Sequence, residues 1–184
     1  MQPDYGQEER DAVSRVFDSG VFVKGPEAKA LEREICEFTG AEACVTVNSG
    51  STALMLVYAY LQQSHKETLR ILTTPATYVA TANVAKFLGQ KVSFADIDIE
   101  SYCLSPFSVR DVTEPFDVIS LVHLYGNAAE VELISKLHPD ATIVEDGAQA
   151  FGTRVNGKHI GTTSFGCFSM FPTKNLSCAG DGGF

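Results

Sequence analysis

Val118-Ile-Ser-Leu-Val-His-Leu124 is a strongly apolar run, followed by Glu130–Leu137 and then by Thr142-Ile-Val-Glu145. The first reads as a strand, the second as a helix, and the third as another strand that ends at Asp146. Strands joined by a crossover helix lie parallel. The same alternation extends outward. Ala43–Val47, Leu69–Thr73 and Lys91–Ala95 read as earlier strands, with helices at Ala53–Leu61 and about Tyr78–Leu88 between them. A looser acidic segment then runs to about Pro115. Residues 7–18 and 26–39 read as two helices that precede the series. In the second, Ala28, Leu31, Ile35 and Phe38 recur at helical spacing, and Gly40 stands where a C-terminal cap belongs. Beyond Asp146, Val155-Asn-Gly-Lys158 carries the signal of a tight hairpin, and Ser164–Met170 reads as a sixth strand. The expected fold is α/β, a mostly parallel sheet with helices on both faces.

Composition narrows the function. With 45% apolar and 20% charged residues, the 184-residue chain is ordinary for a globular protein, and long enough for one substantial core. Fourteen basic against 23 acidic side chains give a net charge of −9, which disfavours nonspecific nucleic-acid binding. A phosphorylated small ligand stays possible, because helix-start amides hold phosphate locally. The five cysteines (Cys36, Cys44, Cys103, Cys167, Cys178) form no CxxC pair and no metal-spaced cluster, the pattern of reduced thiols in a cytosolic protein. No signal peptide and no membrane span is read, so a cytoplasmic location is expected.

In open α/β sheets, ligands bind at the carboxyl ends of the strands, and four polar sites fall at such ends. In Asn48-Ser-Gly-Ser-Thr-Ala-Leu54, helix-start amides with the hydroxyls of Ser51 and Thr52 could grip a phosphate, or the hydroxyls could simply cap the helix. Tyr78, in Pro75-Ala-Thr-Tyr78, could lie on a flat heteroaromatic ring, or pack in the core with its hydroxyl outward. Asp146, in Val144-Glu-Asp-Gly-Ala-Gln149, needs a partner if buried; a pyridinium nitrogen supplies one, and helix capping is the alternative. Gln149 could reach the oxygen of such a ring. Glu145 alternates to the other face, and His123 reads as a structural or pocket-wall residue.

The fourth site is Phe168-Ser-Met-Phe-Pro-Thr-Lys174-Asn-Leu. A lone lysine beside a Gly-rich loop is usually a solvated surface residue. Here it follows Asp146 by 28 positions, and amine and acid together meet the needs of pyridoxal 5'-phosphate. The amine forms a Schiff base with the cofactor aldehyde, and the acid keeps the ring nitrogen protonated so that the ring draws electrons. Ser169 could add a phosphate hydrogen bond.

These segments resemble the DegT/DnrJ/EryC1/StrS family of sugar aminotransferases. The likeness continues in Gly25-Pro-Glu27 with Leu31-Glu32, Thr77-Tyr-Val-Ala-Thr81, Asp96-Ile-Asp98, Val122-His-Leu-Tyr-Gly126 and Gly180-Asp-Gly-Gly183. It implies the large domain of the fold-type I pyridoxal phosphate transferases. By that resemblance Lys174 would be the Schiff-base lysine and Asp146 the partner of the pyridine nitrogen. Tyr78 would stack on the ring, Gln149 would touch its oxygen, and Ser51, Thr52 and Ser169 would bind the phosphate. Related dehydratases carry histidine at the lysine position, so Lys174 implies transamination. Ser51 stands where the family more often has threonine.

The resemblance further implies a nucleotide-linked keto-sugar as acceptor, an amino acid as amino donor, and a homodimer. Family members are much longer. The expectation is therefore that residues 1–184 are the cofactor-binding large domain, truncated and without the C-terminal small domain. Gly180-Asp-Gly-Gly-Phe184 reads as a turn entering one more strand. The rival from another class is a truncated, inactive homologue that keeps the fold as a binding or dimerisation module. A cysteine desulfurase of the same fold is a second rival, against which the Thr77–Thr81 and Val122–Gly126 segments argue.

Overall fold

The computed structural model describes residues 5–184; Met1–Asp4, part of the polar N-terminal stretch, lie outside them. Helices α1 (Gln7–Ser19) and α2 (Pro26–Thr39) come first, each closed by a glycine in the left-handed region, Gly20 and Gly40. Then follow α3 (Gly50–Ser64), β1 (Arg70–Thr73), α4 (Ala80–Phe87), β2 (Lys91–Phe94), α5 (Pro106–Arg110) and β3 (Val118–Val122). The chain continues through α6 (Val131–Leu137), β4 (Thr142–Asp146), the hairpin β5 (Arg154–Val155) and β6 (Lys158–His159), and β7 (Phe165–Cys167).

Five strands form one sheet in the order β2-β1-β3-β4-β7, and every pairing is parallel. The pleat distributes its side chains between two cores. Ile71, Val118 and Val144 face one side, where they meet Leu54, Tyr58 and Leu61 of α3 and Ala85 of α4. Their neighbours Leu72, Ile119 and Ile143 face the other, against Val109 of α5 and Ile134 of α6. All five residues of β3 are buried, as a central strand covered on both faces requires. The sheet expected from the alternation is therefore present, with helices on both faces.

Three expectations need correction. Ala43–Val47 is not a strand: only Val47 pairs, by a single antiparallel bridge to Gly183. The amide and hydroxyl of Thr46 go instead to the Glu32 carboxylate, each at 2.8 Å, which ties this stretch to α2. The strand expected over Ser164–Met170 changes partner midway. Phe165–Cys167 runs parallel to β4, whereas Phe168 and Met170 bond to Phe184 and Gly182 in the antiparallel sense. Finally, the acidic segment before Pro115 contains α5, opened by Ser105 as N-cap and Pro106 in the first turn. The Asn156–Gly157 turn is as expected, with both residues at positive φ (51° and 81°) between β5 and β6.

Candidate active site

The carboxyl ends of β3 and β4, the segment after β7 and the start of α3 enclose a cavity of about 450 Å³. Ser51, Tyr78, Asp146, Gln149, Ser169 and Lys174 all line it. A larger cleft, about 750 Å³, opens between the end of α2, residues 41–47 and β7. It is lined mainly by apolar groups and hydroxyls with Glu42, Cys44 and Cys167, and holds none of the candidate residues read from sequence.

The start of α3 forms one wall. Ser49 is the N-cap, and its hydroxyl accepts from the Thr52 amide at 3.1 Å. Capping thus falls to Ser49, which leaves the Ser51 hydroxyl on the cavity wall. Thr52 does not line the cavity; its hydroxyl donates to Asn48 Oδ1 at 2.5 Å. The helix start leaves its first amides without intrahelical partners, facing the cavity with Gly50 and Ser51. Gly50 is a close-approach residue: a Cβ there would stand 2.9 Å from the Ser169 Cβ. This narrow contact brings Ser169 beside the helix start, and the resulting cradle of amides and hydroxyls suits a phosphate.

Asp146 forms the deep wall. The carboxylate is buried, 6% exposed, and burial pushes its pKa up from the ordinary aspartate value. Two donors resist that rise: Thr81 Oγ1 at 2.7 Å from Oδ2, and the Ala148 amide at 3.1 Å from Oδ1. A buried anion with one protein donor on each oxygen still has lone pairs to spare, and a cationic ring N–H in the cavity would satisfy them. Tyr78, in contrast, is 68% exposed. Its ring is not packed in the core but stands free at the cavity, as a stacking surface must. Gln149 Oε1 accepts from the Tyr125 amide at 3.4 Å, which leaves its side-chain amide free to donate. Residue by residue, the cavity fits a phosphorylated pyridine aldehyde.

Glu145 does behave differently from its neighbour. It points away, 1% exposed, and accepts from His123 Nε2 (2.9 Å), Gly161 N (2.8 Å) and Thr163 N (3.1 Å). Burial acts to raise its pKa, but these donors outweigh burial and hold the carboxyl below the usual glutamate range. His123 Nδ1 accepts from the Ala129 amide at 3.0 Å. An amide can only donate, so the imidazole is neutral with its proton on Nε2. His123 is a wall bracket rather than an acid or base.

A family model, the DegT/DnrJ/EryC1/StrS aminotransferase family, matches residues 3–184. The chain belongs to that family. A UDP-2-acetamido-2-deoxy-3-oxo-D-glucuronate aminotransferase of Pseudomonas aeruginosa is 34% identical over 175 residues, which are 93% of this chain and 48% of the relative. A UDP-N-acetyl-3-dehydro-alpha-D-glucosamine 3-aminotransferase of Acidithiobacillus ferrooxidans is 33% identical over 93% of this chain and 47% of its own length. Among solved structures, S. venezuelae DesV in complex with a ketimine intermediate superposes with a TM-score of 0.88 at 32% identity, covering 96% of this chain and 48% of that one. The chain thus spans about half the length of the curated relatives it matches. Family members are pyridoxal phosphate enzymes, and an E. coli GDP-4-keto-6-deoxy-D-mannose-3-dehydratase, 28% identical with a TM-score of 0.91, was solved with bound hydrated PLP.

Two features of this DegT-family site were not assigned from sequence. Thr81 lies in the Thr77–Thr81 segment, yet its bond to Asp146 spans 65 positions and no spacing announces it. The His123–Glu145 pair spans 22. The only signal for it was an acid at a position that the strand alternation turns away from the cavity.

Proposed function

We propose that residues 1–184 form the cofactor-binding large domain of a pyridoxal phosphate-dependent aminotransferase that aminates a nucleotide-linked keto-sugar. The observation that carries this reading is the pairing, in one cavity, of the Lys174 amine with the buried Asp146 carboxylate. The cofactor, when bound, supplies an aldehyde and a ring that withdraws electrons. Lys174 would hold it through its amine and would move a proton at Nζ between the substrate carbon and the cofactor carbon. Asp146 holds the ring nitrogen protonated. Tyr78 lies against the ring face, and Gln149 donates to the ring oxygen. Ser51 and Ser169, with the amides at the start of α3, hold the phosphate. Thr52 contributes through the same turn, where its hydroxyl fixes Asn48.

The acceptor class is inferred from the two curated relatives, whose names specify UDP-linked oxo-sugars. The donor is an amino acid. Assembly as a homodimer and a cytoplasmic setting belong to the same proposal. No helix among the described residues is long and apolar enough to cross a membrane.

The test is absorbance of the purified protein mixed with pyridoxal phosphate. A band near the visible edge is expected from the wild type and is absent from Lys174→Ala. A protein that stays folded and gives no such band overturns the cofactor assignment. That outcome favours the reading as an inactive binding or dimerisation module. A mixture of loaded protein, glutamate and a UDP-linked 3-keto-hexose then tests transfer, read as an amino-sugar product by mass spectrometry.

A further inference from the structure

Thr81 sits in the first turn of α4, completely buried, and does not line the cavity. Its hydroxyl has one proton and two acceptors within reach: Asp146 Oδ2 at 2.7 Å and the Tyr78 carbonyl at 3.3 Å. The shorter contact is to a carboxylate, and a charge-assisted bond is the stronger one, so the proton goes to Asp146. Thr77 Oγ1 lies 3.3 Å from Thr81 Oγ1. Because the Thr81 proton is committed, Thr77 is the donor there. The two hydroxyls, four residues apart, form a chain Thr77→Thr81→Asp146 in which each bond polarises the next.

The chain is anchored from behind. The phenol of Tyr58, fully buried in α3, lies 3.2 Å from the Thr81 carbonyl and 2.8 Å from Ser120 Oγ on β3. Thr81 is therefore held by the same helix whose first turn faces the cavity. Its hydroxyl and the Ala148 amide occupy one lone pair on each Asp146 oxygen, which fixes the rotation of the carboxylate.

We infer that Thr81 is a positioning residue that favours the ionised form of Asp146 and orients it toward the cavity, and so sets how firmly the site protonates the cofactor ring. This deepens the cofactor reading proposed above and rests on it for its catalytic meaning. The hold of Thr81 on Asp146 exists without any cofactor. The other titratable groups around Asp146 are Lys174 after β7 and His123 at the end of β3, while the Cys167 thiol on β7 and the Tyr58 phenol on α3 feel its charge. A change confined to Thr81 leaves all of them in place.

The experiment uses Thr81→Val, which keeps the shape and removes the hydroxyl, with Thr81→Ala as a second hydroxyl-free variant should valine disturb folding. Thr81→Ser restores the donor. Carbon-13 NMR of aspartate-labelled, cofactor-free protein follows the Asp146 carboxyl, assigned by its loss in Asp146→Asn. Asp146 is expected to titrate about one pH unit higher in the hydroxyl-free variants, and to return toward wild type with serine. In loaded protein, the pH-dependent cofactor absorbance should move in the same variants and be rescued by serine. The inference is overturned if folded Thr81→Val or Thr81→Ala titrates Asp146 as the wild type does. Should pyridoxal phosphate fail to bind the wild type while the Asp146 titration still shifts, the cofactor reading fails and the control of Asp146 by Thr81 stands.

Discussion

Glu145 and Asp146 are adjacent carboxylates whose pKa values move in opposite directions, and the pleat of β4 is the reason. Asp146 faces the cavity, where burial outweighs its two donors and raises its pKa. Glu145 faces the opposite way, where three donors outweigh burial and lower it. The consequences for stability have opposite signs. A carboxyl whose folded pKa is raised favours the native state in acid, and that contribution disappears as pH rises through the folded value. Asp146→Asn should therefore raise the thermal midpoint of the cofactor-free protein at neutral pH. The gain should shrink as pH falls toward 4, the ordinary aspartate range, while pyridoxal phosphate binding is lost. A carboxyl whose folded pKa is depressed stabilises above its unfolded value and ceases to do so on acidification. Glu145→Gln should accordingly destabilise by about 2–4 kcal/mol near neutrality, because it presents an amide to donors that need an anion. Urea titrations at neutral pH and near pH 3 should show the penalty falling with pH. A wild-type melting point for Asp146→Asn at every pH would mean that the burial of Asp146 stores no such cost.

At the scale of the element, the critical contact is that between the start of α3 and Ser169. Gly50→Ala places a methyl group 2.9 Å from the Ser169 Cβ, so the helix start must move away from the segment that follows β7. About 1–3 kcal/mol of stability should be lost. Pyridoxal phosphate affinity should fall further than stability alone explains, since the displaced turn carries Ser51; equilibrium dialysis and urea midpoints separate the two. The location of the cavity at the ends of β3 and β4 was legible in the sequence, because both are apolar runs that stop at polar residues, but the start of α3 follows no strand. Ala43–Val47 was less legible. Its β-branched residues suit a strand, but Thr46 spends its donors on Glu32 from α2, a tertiary partner 14 positions away. The segment after Cys167 misled in a related way. Its apolar alternation continues through Phe168 and Met170, while its hydrogen-bond partners change from β4 to Gly182–Phe184. Periodicity records which face is apolar, not which neighbour supplies the ladder. For the same reason Lys174, Asp146 and Tyr78 could be placed from sequence, whereas the Thr81 bond beneath Asp146 could not.

For the molecule as a whole, burial is unevenly shared. β3 is buried at every residue and paired on both sides, and β4 is nearly so. α1 buries no side chain, although it has an apolar stripe that exposes Val13 and Phe17. Val21, Phe22 and Val23 continue the exposed apolar surface beyond its end. A helix with so little tertiary packing, Ala12 and Val16 being only half-buried, retains little stability of its own at 13 residues. Hydrogen exchange on dilute protein should therefore show β3 and β4 as the slowest amides and α1 among the fastest. The proposed homodimer makes a sharper prediction, because a covered apolar stripe changes the exchange of α1 without touching the core. Raising the protein concentration should slow the α1 amides and those of residues 21–23 together, with β3 and β4 unchanged. Substitution of Phe17 and Phe22 by serine should remove that concentration dependence. If α1 exchanges at one rate over the whole range while sedimentation shows a dimer, the second copy binds elsewhere, and the larger cleft between α2 and β7 becomes the surface to probe.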